Sequence, residues 1–439
     1  MSLVIGFGVF IGAMVLCISL DYTMVIALFI GLAAFAAIGT KKGYTVRALT
    51  GMGVRGVKDA FVVVKIMCII GFITAAWRSS GTIAFFVYYG IKLITPDLFL
   101  IVTFILSCLL SYALGTSFGV AGTVGVIFIT LARSGGVSEI VTAGTVMSGI
   151  YFGDRGSPVS SSAILVSTIT GTDILSNVKM MMQTGIIPLL LSFCIYGVLS
   201  FLNPIHTVDQ GFLSLFEEEF RISWWCALPA VCMLLLPLLN VPVIWSMVTS
   251  IGAGVLVSLF VQHMAPVFLI KSLIFGYEAE SGSLSRILDG GGLLSMLEIV
   301  AIVTLSSTYS GIFSGTNMLQ PLQKKIQPVM EKTGRFFGMV IVSLATLSVF
   351  CNQTIASMMC CDLLKQPYAE AGASKQELAM DMENSVILLA GAVPWAIACS
   401  VPLGFMQVGF AAVPLSVFLY LVPICYGIQK KVANPFRAE

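Results

Sequence analysis

The stretch Gly149-Ile150-Tyr151-Phe152-Gly153-Asp154-Arg155-Gly156-Ser157-Pro158-Val159-Ser160-Ser161-Ser162 sets an acid, a base, glycines, a proline and four hydroxyls inside an apolar run. A charged side chain at the centre of a bilayer costs at least ~2.5–3.5 kcal/mol on insertion scales. Backbone freed by Gly156 and Pro158 must also find partners inside the protein. Such a segment is tolerable where it lines a wet or protein-walled cavity. There, unwound carbonyls can coordinate a cation, and a half-helix starting near Ser160 aims N–H groups at an anion. Asp154 is the natural carrier of a proton or a sodium ion. The competing reading is an Asp154–Arg155 pair that neutralises itself, but neighbours on a regular helix do not face each other, so that pair requires local unwinding.

Two further clusters fit the same chemistry. Gly115-Thr116-Ser117-Phe118-Gly119, with Gly122-Thr123, offers close helix approach and hydroxyl oxygens suited to sodium. Asn352-Gln353-Thr354 places amides and a hydroxyl between apolar runs, where interhelical bonds or a substrate must satisfy them. Asp381, Glu383 and Asn384 are read as opening the helix that reaches Pro394-Trp395, where acids are ordinary partners of the helix dipole. Lys65 and Glu298 either pair across the chain or snorkel. With two histidines and no HExxH or CxxC spacing, nothing holds a catalytic metal or zinc. The eleven cysteines behave as small hydrophobes, most of them inside apolar runs.

The elements that position these residues follow from composition. Of 439 residues, 58% are hydrophobic and 10% charged, against about 25% charged in soluble domains. Net charge is +2, too small to attract nucleic acid. At about 20 apolar residues per span, the chain allows roughly 10 to 12 spans. It is therefore an all-α polytopic membrane protein, with several spans broken or re-entrant at Gly, Pro and Ser. Basic residues cluster in 41–60, 323–335 and the tail, while 203–223 and 263–291 are acidic. The first group is cytoplasmic, the second external, and both termini lie inside. The N-terminal run lacks a basic n-region and a cleavage site and is a retained span.

A repeat follows. The segments 41–60 and 263–291 are both glycine-bearing and of opposite charge. Ser80-Gly81-Thr82 leads to Thr95-Pro96 as Ser314-Gly315-Thr316 leads to Gln327-Pro328. Gly115-Thr116-Ser117 corresponds to Asn352-Gln353-Thr354, and 153–162 to 392–400. The organisation is a first membrane repeat over 1–202, an external linker over 203–223 and a second, inverted repeat over 224–439. Inverted repeats with discontinuous helices are a transporter architecture with the site near the midplane.

At these residues the chain resembles the NhaC-type sodium/proton antiporters of the ion-transporter superfamily. The resemblance rests on Gly115-Thr116-Ser117-Phe118-Gly119 and on Ser148 through Ser160, with Trp77, Ser80-Gly81-Thr82 and Pro394-Trp395 in support. It implies an inverted-repeat fold with broken helices and cation-coupled transport. The chain departs from the family pattern in reading Ser160-Ser161-Ser162-Ala163 for Ser-Asp-Thr-Thr, in Asn352 where an Asp is frequent, and in Arg155 where a Lys is frequent. Relatives of this fold also move carboxylates or amino acids.

The function expected is secondary active transport, not enzymatic: a sodium/proton antiporter working by alternating access, with sodium and proton competing for Asp154. The alternative is a sodium- or proton-coupled carrier of an organic carboxylate or amino acid, with Arg155 holding the carboxylate bidentately. The candidate binding residues are Thr116, Ser117, Asp154, Arg155, Ser157, Ser160, Ser161, Asn352, Thr354 and Trp395, with Asp154 as the ligand of transported sodium. No cofactor is implied beyond the transported ions. The partners are the lipid membrane, a small cation and, on the alternative, a small organic solute; nucleic acid is excluded. The absence of an organellar targeting segment points to a prokaryotic inner membrane. An intramembrane aspartyl protease is disfavoured, because Tyr151 stands where a Gly-x-Gly-Asp motif needs glycine.

Overall fold

The computed structural model describes residues 2–20, 22–59, 61–93, 96–158, 160–204, 216–239, 241–280, 284–285, 288–316 and 334–433. The described chain is helical, and its one extended pairing is the isolated bridge between Tyr277 and Gly290. Helices α1 (Ser2–Ser19), α2 (Met24–Lys41), α3 (Val46–Asp59), α4 (Phe61–Ser79), α5 (Thr82–Leu93) and α6 (Phe99–Leu114) form the first stretch. Next, α7 (Ser117–Val120) runs through a wider π turn at Ala121–Gly125 into α8 (Val126–Ser134). These are followed by α9 (Glu139–Gly156), α10 (Ser161–Thr170) and α11 (Ile174–Leu202). The second stretch contains α12 (Leu228–Leu238), α13 (Val243–Phe260), α14 (Pro266–Phe275), α15 (Leu297–Thr316) and α16 (Arg335–Phe350). It ends with α17 (Gln353–Glu370), α18 (Lys375–Glu383), α19 (Val386–Leu389), α20 (Ile397–Met406) and α21 (Val417–Ala433).

Among the described residues, three helices are long and apolar enough to cross a membrane, at Ser117–Ser134, Ile174–Leu202 and Leu293–Phe313. The pair Val64–Ser79 and Thr82–Gly90 makes a fourth, bent by 64° at Ser80-Gly81. Most of the other apolar helices are shorter, 10–17 residues. The all-α membrane class is confirmed, and among the described residues one apolar helix pair is bent at a break. Backbone in hydrocarbon must be paired internally, so such breaks belong in the protein interior. Lipid-facing positions carry the bulky apolar side chains, among them Phe29, Leu109, Leu190, Phe201 and Phe268, all exposed.

The segment 41–60, expected as a loop, contains helix α3. Its exposed side carries Arg47, Arg55 and Lys58, and its narrow inner side lies against α15. A Cβ on Gly56 would meet Ser307 O at 2.1 Å, and one on Gly311 would meet Met52 O at 2.2 Å, so glycine allows this backbone contact. The two chain halves interleave: α4 packs on α13, and α15 on α2 and α3. Lys65 lies over the Phe61 ring at 4.9 Å, while Glu298 accepts a hydrogen bond from Thr23, so each is accounted for separately. Thr95, Gln327 and Pro328 of the expected repeat fall outside the described residues.

Helix α9 is seated on α6 through small residues. Gly149 faces Ser107, and a Cβ on Gly153 would lie 2.1 Å from Ser111 C and 2.2 Å from Tyr112 N. Neither atom can yield without moving backbone. Gly153→Ala is therefore expected to cost about 1–3 kcal/mol by overpacking. It should lower the melting temperature in detergent, because it forces apart the helix that carries Asp154; an unchanged melting temperature would contradict this packing.

Candidate functional site

Two helix breaks share one local geometry. After α6, Gly115 is left-handed at φ 62° and Thr116 is extended at φ −146°, ψ 124°. After α16, Cys351 is left-handed at φ 56° and Asn352 is extended at φ −131°, ψ 121°. Each extended residue caps the helix that follows: Thr116 Oγ1 accepts from Gly119 N–H at 3.3 Å, and Asn352 Oδ1 accepts from Ile355 N–H at 3.2 Å. These caps satisfy donors that would otherwise be orphaned. They also turn the Thr116 and Asn352 oxygens back onto their own helices.

A third break follows α9. Ser157 N–H donates to Gly153 O at 2.9 Å as the helix ends, and the chain then enters α10 at Ser160. Ser160 accepts from Ser162 N–H at 3.2 Å and donates through its hydroxyl to the Asp154 carbonyl. Ser160 is thus the clasp that folds α10 back against the end of α9.

Asp154 is buried in this clasp. Its Oδ2 accepts from Ser162 Oγ at 3.2 Å and from Gln353 Nε2 at 3.3 Å, and the backbone amide of Ser117 is turned to the same carboxylate. All three expected polar segments therefore converge on it. Ser162 and Gln353 also form the wall of a cavity of about 200 Å³, lined in addition by Ser161, Leu165, Thr354 and Ile387. The carboxylate lies directly behind that wall. The cavity wall offers the Ser161, Ser162 and Thr354 hydroxyls and the Gln353 amide as polar groups in front of the carboxylate.

Arg155 points elsewhere. The two residues lie in the last regular turn of α9 and diverge, and they form no ion pair with each other among the described residues. Arg155 Nη2 donates to Met181 O at 3.0 Å, Thr184 Oγ1 at 2.8 Å and Asn384 Oδ1 at 2.6 Å. Gly185 leaves it room, since a Cβ there would sit 2.9 Å from Nη1. The guanidinium is turned to α11 and the end of α18, and it does not line the cavity. Ser117 and Ser157 are buried. Trp395 donates to Ser348 O at 3.2 Å and stacks edge-on to Phe10 at 5.9 Å, so the structure does not bring it to the cavity.

Asp381 and Glu383 do not open a helix. Ser374 accepts from Glu377 N–H at 3.1 Å and caps α18, so both acids lie in its last turn. Carboxylates there oppose the dipole and need partners. Asp381 has them: Lys430 Nζ at 2.6 and 2.7 Å, Tyr368 OH at 2.7 Å and Tyr426 OH at 2.8 Å. Glu383 is fully buried, and neither of its oxygens has a hydrogen-bond partner among the described residues. The Ser374-x-x-Glu377 pattern is the sequence signal that could have revealed this register. Gln353 and Ser162, which hold the Asp154 carboxylate, were omitted from the candidate set.

The sequence profile of the Na+/H+ antiporter family matches residues 1–198 and 149–428. The chain is 24% identical over 404 residues to the malate-2H(+)/Na(+)-lactate antiporter of Bacillus subtilis, covering 90% of this chain and 86% of that one. It is also 24% identical over 381 residues to the Na(+)/H(+) antiporter NhaC of Alkalihalophilus pseudofirmus, covering 84% and 81%. A third relative is the arginine/ornithine antiporter ArcD of Halobacterium salinarum, 24% identical over 347 residues and covering 75% and 70%.

Proposed function

The chain belongs to the Na+/H+ antiporter family, and we propose that it exchanges sodium for protons with Asp154 as the shared carrier. It is a secondary antiporter of the membrane. The observation that carries the finer reading is the buried Asp154 carboxylate held by Ser162 and Gln353 behind a cavity of about 200 Å³ lined by hydroxyls. Sodium entering there displaces those two donors and takes a carboxylate oxygen, hydroxyl oxygens and the Gln353 carbonyl; a proton on Asp154 excludes it. Because Gln353 and Ser162 come from different halves of the chain, moving one half against the other opens this pair. That motion supplies alternating access between the two faces of the membrane, and the matched breaks at Gly115 and Cys351 support an inverted repeat as its basis. The basic segments support an orientation in the plasma membrane with both termini cytoplasmic.

The relatives named for malate, lactate, arginine and ornithine motivate a second reading, in which an organic solute shares the cavity. The test uses purified protein in proteoliposomes holding a pH-reporting dye. An imposed sodium gradient is expected to drive opposite proton movement with no organic solute present. Proton movement that appears solely when a hydroxy acid or an amino acid is added would overturn plain sodium/proton exchange in favour of the solute carrier.

A further inference from the structure

Resting on that reading, we infer that Glu383 is a second proton-carrying carboxylate of the exchange cycle, with Arg155 as the counter-charge it gains when its proton leaves. Four buried polar atoms at the meeting of α9 and α18 have no hydrogen-bond partner among the described residues: Glu383 Oε1, Glu383 Oε2, Asn384 Nδ2 and Arg155 Nε. They belong to three neighbouring side chains tied together by the Arg155–Asn384 bond at 2.6 Å. Native interiors leave few such atoms, and each one asks for an explanation. Here two are acceptors and two are donors, so the cluster holds the material for an arrangement it does not make in this conformation.

The alternative arrangement is specific. Arg155 now spends Nη2 on the Met181 carbonyl, the Thr184 hydroxyl and the Asn384 amide oxygen, all neutral. A fully buried ionised carboxylate without hydrogen bonds is costly to hold, so in this conformation Glu383 keeps its proton. When Arg155 swings its fork onto Glu383, the O–H bond of the carboxyl breaks. The proton passes to water, and two N–H···O bonds replace those to Met181 and Asn384. The charges acting on Glu383 are Arg155 and Asp154 from α9. Tyr426 of α21 acts on Arg155, and Asp381 of α18 is held by Lys430 of α21.

The charge count then sets the stoichiometry. With both carboxyls protonated, the Asp154–Glu383–Arg155 group carries a net positive charge. With sodium on Asp154 and Glu383 ionised against Arg155, it is neutral. Sodium binding therefore displaces a proton from each carboxyl, and the cycle moves net charge across the membrane.

The experiment is calorimetric. Sodium is titrated into purified protein in detergent, in buffers of different ionisation enthalpy and over a pH series, which counts protons released per sodium bound. Linkage predicts a maximal release of about two protons in the unmodified protein and about one in Glu383→Gln. Asp154→Asn is expected to bind sodium roughly 100-fold more weakly and to release no proton on binding. A maximum of about one proton in the unmodified protein, or the same count in Glu383→Gln as in the unmodified protein, overturns the role of Glu383 and leaves that of Asp154 standing. Sodium-coupled release that survives in Asp154→Asn overturns the carrier reading itself. Should Glu383→Gln fail to fold, the count on the unmodified protein still decides.

Discussion

Asp154→Asn is expected to abolish sodium-driven proton movement while leaving the protein folded. Asparagine matches aspartate in shape, and its amide oxygen can still accept from Ser162 and Gln353, which now hold Oδ2 at 3.2 and 3.3 Å. What disappears is the charge. Hydrogen bonds and contacts to an ionised group are worth about 1.5–3 kcal/mol more than nothing in its place, so apparent sodium affinity should fall by roughly 100-fold. The pH dependence supplies a sharper signature than the rate. Where sodium and a proton compete for one carboxylate, raising the pH strengthens apparent sodium binding, because fewer sites are proton-occupied. In Asp154→Asn that competition is gone. Thermal stabilisation by sodium, measured across pH, should rise with pH in the unmodified protein and be flat in the variant. Stabilisation by sodium with an unaltered pH profile in the variant would remove Asp154 from the carrier role.

The site was legible in the sequence to the extent that polarity inside apolar runs marks it. Gly115-Thr116-Ser117, 153–162 and Asn352-Gln353-Thr354 each interrupt a hydrophobic stretch, and each turns out to be a helix break beside Asp154. Which residue of each break does the chemistry was less legible. Thr116 and Asn352 follow left-handed residues, and helix capping engages their oxygens; after the second cap it is the next residue, Gln353, that reaches Asp154. Glu383 was hidden by register. Without the Ser374 cap, its acid reads as the start of a helix, where a carboxylate is unremarkable; in the last turn the same carboxyl is buried without a hydrogen-bond partner among the described residues. The amphipathic helix α3 escaped because hydropathy alone treats exposed Arg47, Arg55 and Lys58 as loop. Its glycines at 53 and 56, which let it lie on α15, are recognisable as packing residues once the partner backbone is known. Arg155 follows helix geometry: neighbours on a regular helix do not face each other, and α9 sends the Asp154 and Arg155 side chains to different partners.

Lys430→Met should be the most destabilising single change around Asp381, at about 3–5 kcal/mol, because it strands a buried charge. Asp381 is fully buried, and Lys430 is its single cationic partner among the described residues, at 2.6 Å. The Tyr368 and Tyr426 hydroxyls remain, but they supply hydrogen bonds without charge. Glu377 provides the internal comparison. It bridges to Lys430 at 3.0 Å and to Arg335 at 3.1 Å, so losing Lys430 leaves it paired. Its side chain is also a quarter exposed, at 25%. Glu377→Gln should therefore cost far less than Lys430→Met, within about 1 kcal/mol, the range of ordinary surface pairs. Asp381→Asn added to Lys430→Met removes the stranded charge and is expected to recover much of the loss. That non-additivity is the measurement that matters, since neighbours in one network couple by ~0.5–3 kcal/mol whereas independent sites add. Melting temperatures of the two single variants and the double variant in detergent complete the cycle. Simple additivity would mean that Lys430 contributes packing against Phe336 and Tyr426, over whose rings it lies at 5.9 and 5.4 Å, and not the charge that Asp381 requires.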